Sequence, residues 1–317
     1  MKMPYKGDSA ILGYKIETAF DEEPTQATNT TWIGIVPNID FDDSPEYKDY
    51  HTVNKDRDVF LENLGKINVT GTIPIELQNG RIIYLAMGTE SVVDANPKYT
   101  HTISGASTLP SICIEAVYDG TNDFLRYYRG VKVNTLDIEA VDGGEVKASA
   151  GFMAARGEKS SNTASTIDPV TTKPFMYHQG AITILGYASY DVTTFKWTMN
   201  NNLKARHTIR TTDGQYAKMI IEGKRDYEIT ANIIIPDAST YNSQIYDYLI
   251  AGTTFTTTIV LTRTALTDLM TLTATNCTCR TAPHNIPEAG EEVEVSITIK
   301  PRTCTWVVVD AIAAYTA

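Results

Sequence analysis

Five histidines, a Cys-x-Cys pair and several adjacent carboxylates are the residues of this chain whose types could do chemistry. His51, His101, His178, His207 and His284 stand apart, and none is spaced from another as metal ligands on a helix or in a finger are. Cys277 and Cys279 lie two apart in a Thr-rich run, which on a strand turns both thiols to one face, while Cys113 and Cys304 are isolated. Cys-x-Cys lacks the spacing of a structural zinc site, so these thiols read as small buried side chains. Asp42/Asp43 and Glu291/Glu292 could act as the acid and nucleophile of a glycosidase only at a fixed spatial separation, and adjacency in an acidic turn does not supply one. No strained Ser elbow, phosphate loop, dinucleotide fingerprint or His-Glu-x-x-His helix occurs. The residues predict no enzyme, no cofactor and no metal.

Composition narrows the partners. With 317 residues, 42% of them hydrophobic and 21% charged, the chain has the make-up of a folded protein long enough for two ordinary domains. A formal net charge of −11 opposes binding to nucleic acid through phosphate neutralisation, which needs clustered Lys and Arg. The acid is concentrated in the first half: residues 1–158 carry 14 Lys and Arg against 24 Asp and Glu, leaving 13 against 14 for the rest. No apolar run approaches the roughly 20 residues that span a bilayer, and "MKMPYKGDSAILGYK" has no signal-peptide apolar region, so no membrane insertion is expected.

The elements that would position these residues are mostly strands. Val293, Val295, Ile297 and Ile299 alternate with Glu292, Glu294, Ser296 and Thr298, the period of a half-buried strand. "INVTGTIPIEL", "PSICIEAVY", "YEITANIII" and "TFTTTIVLT" are β-branched runs bounded by turn residues. Residues 79–88 and 239–252 break the pattern, each opening on Asn or Ser and closing on Gly, and predict two short helices. The order strand, helix, strand, strand, turn, strand occurs twice, which we read as a tandem duplication. It predicts a first domain over 1–156 with an N-terminal arm, a Ser/Thr-rich, Pro-punctuated linker over 157–175 and a second domain over 176–317. Each copy carries a long polar insertion, at 40–65 and 191–223, expected to be a loop. Asp42, Asp43, Glu46 and Asp49 crowd the first; Lys196, Lys204, Arg206 and Arg210 crowd the second. Such opposed charge suits either a contact between molecules through these loops or loops that it simply keeps solvated.

One stretch carries a family likeness. "LPSICIEAVYDGTNDFLRYYRGVKVNTLDIEAVDGGEVKASAGFMAARGEK", residues 109–159, has a "LPSICIE" strand, an aromatic-Arg-Gly step and an acidic-Gly turn into "EVKASAGFM". With "GYKIETAFDEEPT" and "WIGIVP" upstream, the chain resembles the tail tube proteins of long-tailed bacterial and archaeal viruses, in their larger form. The resemblance implies a mainly β fold of two tandem sandwich- or barrel-like domains, each flanked by one short helix, and six such units closing a ring that stacks into a hollow tube. It also implies assembly in the host cytoplasm, contacts with other copies, with a tape-measure protein and with other tail proteins, and passage of viral DNA through the lumen without specific binding. Two units per chain would then give three chains per ring with pseudo-six-fold symmetry, and the opposed loops would key ring to ring. Asp137, Glu139, Glu292 and Glu294, on polar strand faces, are the candidate lumen-side carboxylates, with a solvent-exposed outer wall as the alternative place for them. A receptor- or sugar-binding module would instead show a small oligomer and a saturable ligand, and a tail terminator or baseplate ring would show rings that do not extend.

Overall fold

The computed structural model describes residues 10–316 apart from 25–27, 53–57, 96, 119–124, 161–162, 186–190, 236–238, 240, 264–266 and 284–291. Its first run of elements is β1 (Ile11–Ile16), β2 (Thr31–Trp32), β3 (Asp40–Tyr50), β4 (Leu61–Glu76), α1 (Arg81–Met87), β5 (Gly88–Asp94), β6 (Tyr99–Gly105), β7 (Ile112–Val117), β8 (Leu125–Val141), β9 (Lys147–Ala154) and β10 (Arg156–Ser160). The second is β11 (Gly180–Thr183), β12 (Asp191–Asn200), β13 (Lys204–Arg206), β14 (Met219–Ile221), β15 (Asp226–Ile234), α2 (Asp247–Ala251), β16 (Phe255–Arg263), β17 (Asp268–Thr281), β18 (Glu294–Lys300) and β19 (Thr303–Asp310). The chain is mainly β, as the alternating patterns require: in β18, Val295, Ile297 and Ile299 are buried while Glu294 and Ser296 are exposed.

Antiparallel pairing arranges eight strands as a central sheet in the order β3-β4-β9-β8-β12-β15-β18-β17. The long β8 and β17 also enter flanking sheets: the first part of β8 pairs with β7 and β10, and that of β17 with β16 and β19. One continuous core joins the layers. Trp197 of β12 meets Trp306 of β19 edge to face at 5.5 Å, both fully buried.

The two halves of the central sheet repeat one another in their irregularities. A bulge in the β7–β8 pairing falls just before Val131, and one in β8–β9 just after Val133; likewise the β16–β17 pairing breaks just before Cys277 and the β17–β18 pairing just after Cys279. Bulges bend a strand and raise its twist, so matched bulges let β8 and β17 pass between layers at the same place. Cys277 and Cys279 therefore stand where Val131 and Val133 stand, and their role is apolar filling. All four cysteines are free and buried. Burial pushes Cys113 and Cys304 up to about 12 and raises Cys277 and Cys279 as well. Since the thiolate is the reactive form, iodoacetamide near pH 8 is expected to leave the native protein unlabelled and to modify all four thiols once it is denatured. Mass spectrometry reads the difference, and rapid labelling of the folded chain would contradict these placements.

Helix α1 lies within residues 79–88, where a helix was expected. Asn79 Oδ1 accepts the Arg81 N–H at 3.1 Å, and Gly88 closes the helix at φ 96, the left-handed geometry that glycine adopts without strain. In the second half, a π-helical turn over Tyr241–Tyr246 runs into α2, which ends at Gly252 with φ 62. Six residues of α1 are buried, whereas Tyr246 and Ile250 of the second helical segment are exposed.

The described residues of 157–175, the expected linker, lie against the first half. They begin within β10, paired to β8. Farther along, Ser165 is buried, and its N–H and hydroxyl both donate to the Glu115 carboxylate at 2.6 Å, with Asn29 Nδ2 donating to it at 3.1 Å. Ile167 packs so closely over β1 that a Cβ at Gly13 would overlap it and the Asn29 carbonyl oxygen. Phe175 is fully buried.

Candidate assembly interface

The seam between the halves shows how this sheet accepts a neighbour. β12 pairs with the outer part of β8 from Thr194 opposite Val141 to Asn200 opposite Thr135, and Lys196 Nζ reaches Asp137 Oδ2 at 3.0 Å across it. At the two ends of the sheet the corresponding edges have no strand beside them among the described residues: β3 pairs only with β4, and the end of β17, Thr278 to Thr281, only with β18. An open strand edge is a template for a further strand. All eight strands alternate in direction, so β3 beside the β17 end of a second copy would again be antiparallel.

The same alternation decides where the two charged insertions stand. The β3–β4 and β12–β15 connections leave the same end of the central sheet, so both insertions sit on one rim. Copies stacked head to tail would bring that rim against the opposite one, not against itself. Nor is the first insertion a loop. Asp42, Asp43, Glu46 and Asp49 lie on β3, which with β4 forms a hairpin extending past the sheet. Asp43 meets Arg126 at 3.1 Å, with burial pushing its carboxyl up against the Arg126 charge that lowers it. Asp42 accepts the Ser44 hydroxyl. Glu46 meets Lys66 at 3.1 Å, a hydrogen bond that holds its carboxyl below the ordinary value. Lys196 is in the seam and bound to Asp137. Lys204 and Arg206 are exposed on β13, and Arg210 donates to the Asp213 and Tyr216 carbonyls of its own loop.

The second insertion folds back over the first half. The Ile67 N–H donates to the Gln215 carbonyl at 2.8 Å, and Arg156 meets Asp213 at 3.3 Å. Lys132 meets Glu222 at 2.7 Å beneath it; burial raises the Glu222 carboxyl, and hydrogen bonds from Lys132 and the Leu109 N–H more than reverse this, leaving it lowered.

What sequence reasoning missed is the apolar character of the hairpin. Tyr47 lies opposite Leu64 and Tyr50 opposite Leu61, three rows apart and hence on opposite faces, and Phe60 precedes Leu61 on the return strand. Their exposures run from 40% for Tyr50 to 63% for Tyr47. Asp49 stands directly opposite Glu62, a like-charged pair that is unfavourable without a cation from elsewhere. The signal was the alternation of "FLENLGKINV", hidden by its charged neighbours.

Away from the core, the central sheet presents a polar face. Asp137 and Glu139 of β8 share it with Thr198 and Lys196, Glu228 and Thr230, Ser149 and Lys147, and Thr298 and Lys300 of neighbouring strands. Glu139 is exposed, Asp137 is paired to Lys196, and Glu294, exposed at the start of β18, accepts the Thr193 hydroxyl at 2.6 Å. Glu292 is exposed just ahead of β18, and His284 and Glu291 lie outside the described residues. Among the described residues no group of three His, Cys, Asp or Glu could hold a metal ion.

Two sheet edges unpaired among the described residues, a polar sheet face and a hairpin with exposed aromatic and leucine side chains, with no cluster of catalytic groups brought together among them, are features of a structural protein. The family model for phage tail tube proteins matches residues 7–301, and the chain belongs to that family. It is a structural component of a virion tail. No curated protein matches the chain.

Proposed function

We propose that three chains close a ring of six pseudo-equivalent units and that rings stack head to tail into the hollow tube through which viral DNA leaves. The seam carries this reading: β8 accepting β12 inside one chain is the template for the β17 end accepting β3 of the next, and both of those edges are open among the described residues. A heterologous contact that returns on itself closes a ring, and β barrels close without leaving edges. The polar face would then line the lumen. Its hydroxyls and internally paired charges, Lys196 with Asp137 and Lys300 with Glu228 at 3.3 Å, offer little net attraction to phosphate. The hairpin of each chain would reach the opposite rim of the next ring and bury its aromatic and leucine pairs there. Assembly around a tape-measure protein in the host cytoplasm is the expectation carried by the family.

Electron microscopy of the concentrated chain tests this. Hollow filaments whose end-on rings have three-fold symmetry and six lobes are expected. Six-chain rings would refute the stoichiometry, and particles dispersed at every concentration would refute the tube.

A further inference from the structure

The strap between the halves marks a slot in the first half whose twin in the second half is unfilled among the described residues. In the first half the Leu77 N–H donates to the Val146 carbonyl at 2.9 Å. Phe175 completes the row: its N–H donates to the Leu77 carbonyl at 2.9 Å and its carbonyl accepts the Val146 N–H at 2.7 Å. Its ring lies under the Arg263 guanidinium at 4.1 Å, and Leu77, Val146 and Phe175 are all at most 1% exposed.

The second half repeats this geometry, with no occupant among the described residues. Phe41, Gly71, Phe152 and Val133 form one row of paired residues, and Trp197, Ile229, Ile299 and Cys279 form the corresponding row, each ending at a bulge. Leu77 lies six residues after Gly71, as Ile235 does after Ile229; Val146 lies six before Phe152, as Val293 does before Ile299. The cross-connection is the same, the Ile235 N–H donating to the Val293 carbonyl at 2.9 Å. Yet Val293 is 43% exposed and Ile235 only half-buried.

Phe175 comes from the segment that leads into the second half, follows Pro174, and lies five residues ahead of β11, the strand that pairs with β16. The segment leading into the first half has the same design. Tyr5 follows Pro4 and lies six residues ahead of β1, which pairs with β7, the counterpart of β16. Pro4 and Tyr5 are outside the described residues. Phe175 crosses the seam to reach the half before its own. The equivalent move for Tyr5 crosses the ring closure, to the second half of the preceding chain.

We propose that Pro4-Tyr5 of one chain docks on Ile235 and Val293 of its neighbour within the ring, as Pro174-Phe175 docks on Leu77 and Val146 within the chain. The occupant is a second copy of this protein, and the proposal rests on the ring reading given above. Tyr5 would add an antiparallel step to the sheet edge and cover the exposed valine, so each chain would be strapped to the next as its own halves are strapped together.

The test replaces Tyr5 with the photo-reactive aromatic benzoylphenylalanine in the full-length chain, mixes unlabelled and nitrogen-15-labelled protein, images the rings and irradiates them. Cross-links between chains, from position 5 to the peptides holding Ile235 and Val293, are expected, with loss of those cross-links in the Val293→Asp variant. Rings that form normally while position 5 cross-links only within its own chain, or elsewhere, overturn the docking and leave the ring reading intact. The same probe at Phe60 cross-linking to Val293 would put the hairpin of an adjoining ring in the slot and also overturn it. Absence of rings at all concentrations refutes the ring reading, and the docking with it.

Discussion

Replacing residues 47–64 with a short turn is expected to abolish tubes while rings persist. The cut leaves Asp40 to Glu46 in place, so the β3 edge, the Asp43 contact with Arg126 and the Glu46 contact with Lys66 remain available to the ring. It removes Tyr47, Tyr50, Phe60, Leu61 and Leu64, which the isolated chain leaves in water. Burying one large apolar side chain contributes about 1.5–3 kcal/mol. If each of three hairpins in a ring buries a single such residue on the next ring, the lost stacking energy is about 4.5 kcal/mol or more. At about 1.4 kcal/mol per tenfold, the concentration needed to form tubes rises at least about a thousandfold. Pelleting of filaments, with light scattering of the soluble fraction to count chains per ring, reads both halves of the expectation. Normal tubes from the shortened chain would remove the hairpin from the stacking contact.

How much of this was legible beforehand depended on the reach of each interaction. Local signals were read well: Asn79 and Gly88 bracket α1, and the alternation of Val295, Ile297 and Ile299 places β18. The charge-rich insertion was misread because Asp and Glu are depleted in strands as a rule. Beyond Ser44, β3 carries water on both faces, so neither burial nor packing opposes those residues there. Lys196 was grouped with the other cations of its insertion because its partner, Asp137, is remote in sequence and is brought near only by the register of the seam. That both insertions share a rim follows from strand direction across eight strands, which no local pattern encodes. The meaning of Cys-x-Cys was likewise positional: only the matched bulges show that it occupies the place of Val131 and Val133.

Asp268→Ala is expected to lower the stability of the chain by roughly 3–5 kcal/mol, the cost of stranding a buried charge. Asp268 and Arg263 are 3% and 5% exposed and face each other at 2.7 Å where the β16–β17 pairing ends. Arg263 also donates to the carbonyls of Gln78 and Lys173 and covers the ring of Phe175, while Lys98 from the first half binds the other Asp268 oxygen. One carboxylate thus holds a guanidinium that ties together the first half, the strap and the second half. Total stabilities of domains are about 5–15 kcal/mol, so the loss is a large share of what there is. It should appear as a lower urea midpoint and as rings that dissociate on dilution. Because the attraction within a buried pair is offset by desolvation, replacing both partners with apolar residues of similar size, Arg263→Met with Asp268→Leu, should recover much of the single-variant loss. Recovery would show that the pair's energetic weight lies in not leaving one charge alone. An Asp268→Ala chain as stable as the parent would mean that the carbonyl ligands alone satisfy Arg263, and the joint between the halves would then rest on the seam and on Phe175.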